Sequence, residues 1–381
     1  MCLSQFFPVA GGAERQAHIL AKHLMQKGHQ IFVLTQRKTG LRRKEVLEGV
    51  PVERLIRTVN VGPLFGLSFL ASIILLLIKR RRHYGIIHLH QAYLSAFAAG
   101  LLSGFLKKKV VVKVACGGEY GDMRRLERMK LSWLLFAGIK KADRFVAISE
   151  EIRRELLSYG FGEEKIVRIP NGVDLARFHP GPSPIKDEFA GRSIVLFVGR
   201  LDEQKGVKFL LRAWRKVKEK DAANCVLLLI GQGPLEAELK ALASSLNLGE
   251  SVRFLGRVEN VEDYLKAAEV FVLPSLAEGM PNVLLEAMAT GVAIVASSIG
   301  GVTDLVKDGE SAKLVPPRDE EKLATAILKL LEDKALGERL GKGALERVRK
   351  NFSIDAVGRR YEDLYRRLSA QKKQFNTNYT N

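Results

Sequence analysis

Residues 275–290 read SLAEGMPNVLLEAMAT, with one carboxylate, Glu278, in a turn and a second, Glu286, eight residues on inside an otherwise apolar helix. Pro281 suits the first turn of a helix. Met280–Pro281 therefore marks a helix start, and the amides of Asn282, Val283 and Leu284 are expected without intrahelical partners, free to hold a phosphate. Glu286 falls in the second turn among Leu284, Leu285, Ala287, Met288 and Ala289. A lone charge there costs several kcal/mol unless it is paired or bound, so Glu286 needs a partner. A solvated glutamate would have more polar neighbours. Glu278 by itself says less, because a Glu-Gly turn is common.

Around this stretch, short β-branched or leucine-rich runs alternate with helical patterns, as in βαβ units with parallel sheets. The expected strands are His29–Thr35, Gly85–His90, Val110–Val114, Arg144–Ile148 and Lys165–Ile169, then Ser193–Val198, Cys225–Ile230, Val252–Leu255, Val270–Leu273 and Ala293–Ala296. With 381 residues, the length also points to two domains, and two domains imply a cleft. The Pro- and Gly-rich stretch Pro170–Pro184 (PNGVDLARFHPGPSP) reads as the linker.

Charge divides at the same place. Residues 1–178 carry 30 Lys and Arg against 14 Asp and Glu, a net +16, while the remainder carries 31 against 28. A one-sided basic domain fits an anionic lipid surface, a nucleic acid or an acidic substrate. No zinc-finger spacing, aromatic RNA-binding motif or heptad-bearing basic helix is present, which disfavours nucleic acid. The longest apolar run, Pro63–Ile78, ends on Lys79-Arg80-Arg81-Arg82 and is shorter than the roughly 20 residues that span a bilayer. It reads either as a buried helix on a sheet or as a helix dipping into one leaflet. Apolar (47%) and charged (27%) fractions are those of a globular chain, apart from the polar tail QKKQFNTNYTN. Cys2, Cys116 and Cys225 lack metal or disulfide spacing, and the opening MCLSQFFPVAGG lacks a secretory signal. A cytoplasmic protein is expected, peripheral on the inner membrane face as one option.

Three further segments sit where open α/β sheets hold ligands. Gly11-Gly12-Ala13-Glu14-Arg15 opens a helix, where a double glycine lets backbone approach an anion or simply makes a tight turn. Gly199–Gly206 (GRLDEQKG) follows a strand and offers Arg200, a planar fork for phosphate oxygens, and Lys205, a mobile point charge. Gly231-Gln232-Gly233 ends another strand and suits close backbone approach. His88 and His90 share a strand face and read as core or hydrogen-bonded histidines rather than as a metal site.

Taken together, GGAER, PNGVD, GRLDEQKG and EGMPNVLLE, in this order over almost the whole chain, resemble glycosyltransferase family 4. Glu278 and Glu286 carry its E-x7-E pattern. The resemblance implies the GT-B fold: two doubly wound Rossmann-like domains facing across a cleft, with the helical segment Ser353–Leu368 crossing back to the first. The domains are then 1–178 plus 353–381, which holds the acceptor, and 179–352, which holds a nucleotide sugar. It further implies retaining transfer from a UDP- or GDP-linked sugar to a hydroxyl of a glycan or glycolipid, with no metal and no cofactor beyond the donor. By it, Glu286 takes the ribose hydroxyls, Glu278 the donor sugar, and Arg200 and Lys205 the diphosphate. Gly231, Gly279, Met280, Pro281, Asn282, Val283 and Leu284 complete the donor site, and Gly12 closes it from the first domain. Glu14, Arg15, His90 and Glu119 are placed on the acceptor side, and the stretch 256–263 near the base.

Three departures stand out. No histidine lies in Lys113–Gly118, where many members have one on the donor sugar; Glu119 is the candidate substitute. Asp304 stands where glutamate is frequent, and only MCLSQFFPVA precedes GGAER. The alternatives are a nucleotide-sugar epimerase or phosphorylase on the same fold, and a non-enzymatic module binding anionic polymers.

Overall fold

The computed structural model describes residues 1–8, 11–118, 121–189, 191–220 and 224–377, with side chains through Ala370. The chain forms two compact units, Val173–Ser353 on one side and Met1–Gly172 with Ile354–Asn381 on the other. Val173 falls with the second unit, ahead of the sequence-based boundary at 178, because it pairs with Ser353 and donates its amide to Phe352 O at 2.9 Å.

The first unit contains β1 (Val33–Gln36), β2 (Lys44–Leu47), β3 (Val50–Ile56), β4 (Ile86–Leu89), β5 (Lys109–Val114), β6 (Arg144–Ala147) and β7 (Ile166–Arg168). β4 to β7 lie side by side in parallel, and β1, β3 and β2 form a second ribbon. Cys2 joins the two by bridging Leu34 and Leu89, both in parallel. β2 and β3 are an antiparallel hairpin that the sequence reading overlooked. Its turn is Glu48-Gly49, both at positive φ (45° and 87°), a geometry usually signalled by Asn-Gly or Asp-Gly. β1 starts at Val33 rather than His29, since His29 is exposed and turned to Glu362 at 3.0 Å.

The helix Ile354–Thr377 packs in this unit against the helix Gly12–Gln26. Gly358 permits the approach: a Cβ there would lie 2.3 Å from the His23 ring. Val357, Tyr361, Leu364 and Leu368 fill the core with Leu20, Leu24 and Val111.

The apolar run forms the helix Leu64–Lys79, but only Phe69, Ile73 and Leu77 are buried, one stripe at i, i+4, i+8. That is less than the burial expected of a helix sunk between sheet and protein. No helix among the described residues is long and apolar enough to cross a membrane.

The second unit is one parallel sheet: β8 (Ser193–Val198), β9 (Cys225–Ile230), β10 (Val252–Gly256), β11 (Val270–Leu273), β12 (Ala293–Ser297) and β13 (Lys313–Val315). The spatial order is β10-β9-β8-β11-β12-β13. β8, β9 and β11 form on the residues the sequence indicated, because a strand covered on both faces reads as an unbroken apolar run. β13 was missed; it has three residues and only Val315 is buried. Trp214, fully buried, anchors one helical layer and donates its indole N–H to Ser251 Oγ at 3.2 Å.

Candidate active site

The strand order of the second unit, counted within it, is 3-2-1-4-5-6, so chain direction across the sheet reverses between β8 and β11. Ligands of open α/β sheets bind outside the carboxyl ends of strands at this reversal. The loops leaving these two strands are Gly199–Gly206 and Pro274–Pro281, the segments singled out in the sequence.

The two loops are tied to each other. Leu276 N donates to Gln204 O at 2.8 Å, and Gln204 Nε2 donates to Ala277 O at 2.8 Å. Gly206 sits at φ 64°, where a Cβ would fall 2.2 Å from Pro274 O. This backbone contact brings Lys205 Nζ to 2.5 Å from Glu278 Oε1, and Ser275 Oγ donates to the same oxygen at 2.7 Å. The Lys205 and Glu278 side chains are only 19% and 7% exposed, so salt screens the pair little. Arg200, by contrast, is 69% exposed and lies 3.5 Å from Asp202.

The glycines here make room for neighbouring backbone. A Cβ on Gly231, at φ 139°, would lie 1.8 Å from Gly199 O, and one on Gly233 2.2 Å from Leu201 O. Gly231 N donates to Gly256 O at 2.7 Å. From the other side, a Cβ on Gly301 would meet Glu278 O at 2.4 Å and Gly279 O at 2.6 Å. The loop carrying Glu278 is therefore held between two backbone segments.

The helix after this loop runs Asn282–Thr290. Pro281 is its extended N-cap, not a first-turn residue, and Leu284 N already donates to Pro281 O at 3.2 Å. That corrects the expectation that the Leu284 amide is available to a phosphate; Asn282 and Val283 form the half-buried rim. Met280 and Pro281 are buried. Glu286 is buried in the second turn, 9% exposed, as its apolar flanks indicated.

In the first unit, Gly12 opens the helix Gly12–Gln26 and is exposed, as is Arg15. Glu14 is turned inward: its Oε2 accepts the Gly11 amide at 2.8 Å, closing the first turn, and Oε1 is buried with no hydrogen-bond partner among the described residues. One carboxylate oxygen thus serves the helix start, and the side chain is buried rather than presented at the surface. Gln16, which sequence reasoning passed over, exchanges two hydrogen bonds with the Gly172 backbone at 2.8 and 2.9 Å. A lone glutamine in a helix gives no signal of such a long-range clamp. Glu119 lies outside the described residues.

His90 is fully buried, its ring 4.2 Å from that of His88. Neither nitrogen has a hydrogen-bond partner among the described residues, whereas His88 Nδ1 shares one with Tyr365 Oη at 2.7 Å. His90 is therefore sealed from an acceptor in this conformation. Burial, aided by the Lys113 charge, holds both histidines well below their ordinary range, and burial lowers Lys113 to about 7. All three disfavour the charged form on folding, so the unfolded chain binds more protons below pH 6.5 through the histidines and from about 7 to 10.5 through Lys113. Stability is expected to rise with pH in both windows, by up to ~1.4 kcal/mol per pH unit per group. Lys113→Met should flatten the upper window, measured by urea denaturation at pH 7 and 9. An unchanged slope would show that Lys113 stays charged when folded.

No group of three His, Cys, Asp or Glu is arranged to hold a metal among the described residues.

Residues 10–177 match the family model described as Glycosyltransferase Family 4, and residues 192–333 that described as Glycosyl transferases group 1. The lipopolysaccharide core biosynthesis mannosyltransferase LpcC of Rhizobium leguminosarum bv. viciae is 31% identical over 270 residues, 64% of this chain and 74% of LpcC. The chain belongs to glycosyltransferase family 4. This glycosyltransferase is also 29% identical over 318 residues to the Escherichia coli UDP-Gal:alpha-D-GlcNAc-diphosphoundecaprenol alpha-1,3-galactosyltransferase, covering 80% of this chain and 81% of that enzyme. Among solved structures, the sucrose-phosphate synthase of Thermosynechococcus elongatus superposes with a TM-score of 0.80 at 27% identity, over 97% of this chain and 99% of the other. The fold is GT-B, and the protein is a transferase rather than a non-enzymatic binding module.

Proposed function

We propose that this glycosyltransferase moves a sugar, with retention of configuration, from a UDP- or GDP-linked donor to a hydroxyl of a glycan or glycolipid acceptor. The observation that carries the reading is the enclosed Lys205–Glu278 pair at the strand reversal of a Rossmann-ordered sheet. Negative charge grows on the leaving diphosphate, and a cation preplaced in a water-poor site stabilises it without reorganising. Lys205 takes this role, with Arg200 swinging in from solvent. Glu278, held by Ser275, accepts from hydroxyls of the donor sugar, and Glu286 from the ribose. Gly231 and Gly279 to Val283 line the donor, and Gly12 and Arg15 belong to the acceptor unit together with Glu119. The acceptor hydroxyl attacks on the face from which the nucleotide leaves, with no metal required. The names of LpcC and the galactosyltransferase support a lipid-linked or membrane-held acceptor, and the proposal sets the enzyme to work on the cytoplasmic side of a membrane.

A thermal-shift screen of UDP, GDP and their sugar conjugates tests the donor half. A ligand at a hundred times its Kd adds roughly 2.7 kcal/mol of stability. A base-selective shift is expected, and Glu286→Ala should abolish it. No shift with any nucleotide in a folded protein would sink the proposal, and a product of inverted anomeric configuration by NMR would sink its stereochemistry.

A further inference from the structure

The large hydrophobic side chains left exposed among the described residues all lie between Val46 and Leu134, in the first unit. They concentrate on three helices, Leu64–Lys79, Leu94–Leu106 and Ser132–Ile139, packed side by side in that order. On the first helix Leu64, Leu67, Ala71 and Leu75 are exposed at i, i+3, i+7 and i+11, a stripe distinct from the buried Phe69, Ile73 and Leu77. Phe105 on the second helix is 72% exposed, and Trp133 on the third 70%. A monomer in water rarely leaves an apolar helix face and an indole open in this way.

The charge on the first two helices and their connections has one sign. No Asp or Glu occurs from residue 54 to residue 118. The three helices lead into β4, β5 and β6, which are mutually parallel, so the helices run the same way and their carboxyl ends share one edge. Each ends on cations: Lys79, Arg81 and Arg82 after the first, Lys107 after the second, Lys141 after the third, all exposed and in no ion pair among the described residues. Favourable interaction of cations with helix carboxyl ends explains one or two per helix. It does not explain an apolar face beside them.

We propose that this three-helix face docks on an anionic lipid bilayer. The stripe from Leu64 to Leu75, with Phe105 and Trp133, enters the headgroup–acyl boundary, and the basic edge lies on anionic headgroups. Trp133 suits that boundary, with an apolar ring and one N–H. A second copy fits less well, since two copies each at net +19 repel, whereas an anionic leaflet attracts both. The inference rests on the membrane-held acceptor proposed above and names the surface that brings the enzyme to it.

The chain has two tryptophans, and Trp214 is fully buried in the second unit. A blue shift of intrinsic fluorescence on adding vesicles therefore reports Trp133, and Trp133→Phe should remove the shift while vesicle co-sedimentation persists. The full chain is expected to sediment with phosphatidylcholine–phosphatidylglycerol vesicles at low salt, weakly with phosphatidylcholine alone, and to release at high salt. Replacing Lys79, Arg81 and Arg82 by Gln should weaken binding about a hundredfold, at roughly fivefold per cation near the surface. Leu67→Asp should weaken it independently. Absence of binding, or binding untouched by both variants, overturns the proposal. A dimer in sedimentation velocity that Leu67→Asp dissolves, without vesicle binding, assigns the face to a second copy instead. The donor-induced thermal shift is read in the same samples: if it persists while vesicle binding is absent, only the docking surface falls, and if it is missing, the transferase site itself is in question.

Discussion

Lys205→Met is expected to lower kcat by about 10²- to 10³-fold, the loss typical of removing one preorganised group from developing transition-state charge. Lys205 touches Glu278 at 2.5 Å in a nearly closed site, so the substitution also strands a buried carboxylate. Breaking a buried pair from one side costs about 3–5 kcal/mol. A stability loss alone could mimic a catalytic one. The double variant Lys205→Met with Glu278→Gln separates them: replacing both charges should recover most of the stability while kcat stays low. Steady-state kinetics and urea denaturation of the three proteins make the comparison. Activity returning with stability would reduce the pair to a structural strut.

Gly231→Ala is expected to destabilise the protein by about 3 kcal/mol or more, from a positive-φ backbone and an overpacked contact acting together. At φ 139° the position is strained for any L side chain, and the new Cβ would lie 1.8 Å from Gly199 O. The backbone must then give, and Gly199 leads directly into Arg200 and Lys205. Gly249 is the control: its φ is 47°, but nothing lies within 4 Å of a Cβ there, so Ala should cost only about 1 kcal/mol. At about 2–4 °C of Tm per kcal/mol, calorimetry resolves the two. Equal losses would show that φ alone matters and that the loop stack does not constrain Gly231.

Legibility followed burial. β8, β9 and β11 were read to the residue because an apolar run covered on both sides has no other soluble fate. The β2–β3 hairpin was invisible for the opposite reason: β2 is half exposed, and its turn is Glu-Gly. Glu286 was located correctly as buried, since a charge flanked by Leu, Ala and Met on a helix has few ways to stay wet. The inward turn of Glu14 was not legible, because a glutamate in a first turn looks the same in sequence whether it faces solvent or folds back on Gly11. Leu284 failed for a smaller reason: whether Pro281 caps the helix or occupies its first turn shifts every amide partner by one residue.

The sequence by itself determined the α/β class, two regions of different charge, and the segments from which the site is built, because periodicity, composition and motif spacing are properties of the chain as written. Tertiary structure alone decided that Gln204 and Ser275 hold Lys205 and Glu278 together, that Arg200 stays in solvent, that Gly231 and Gly301 serve loop stacking, and that His90 is sealed beside His88. The contacts of Gln204 with Ala277, Lys205 with Glu278, Gly231 with Gly199 and Gly301 with Glu278 join residues tens of positions apart. Hydrogen-bond geometry and close approach depend on separations of a few tenths of an ångström, set by how sheets and loops pack, and local sequence carries no record of them.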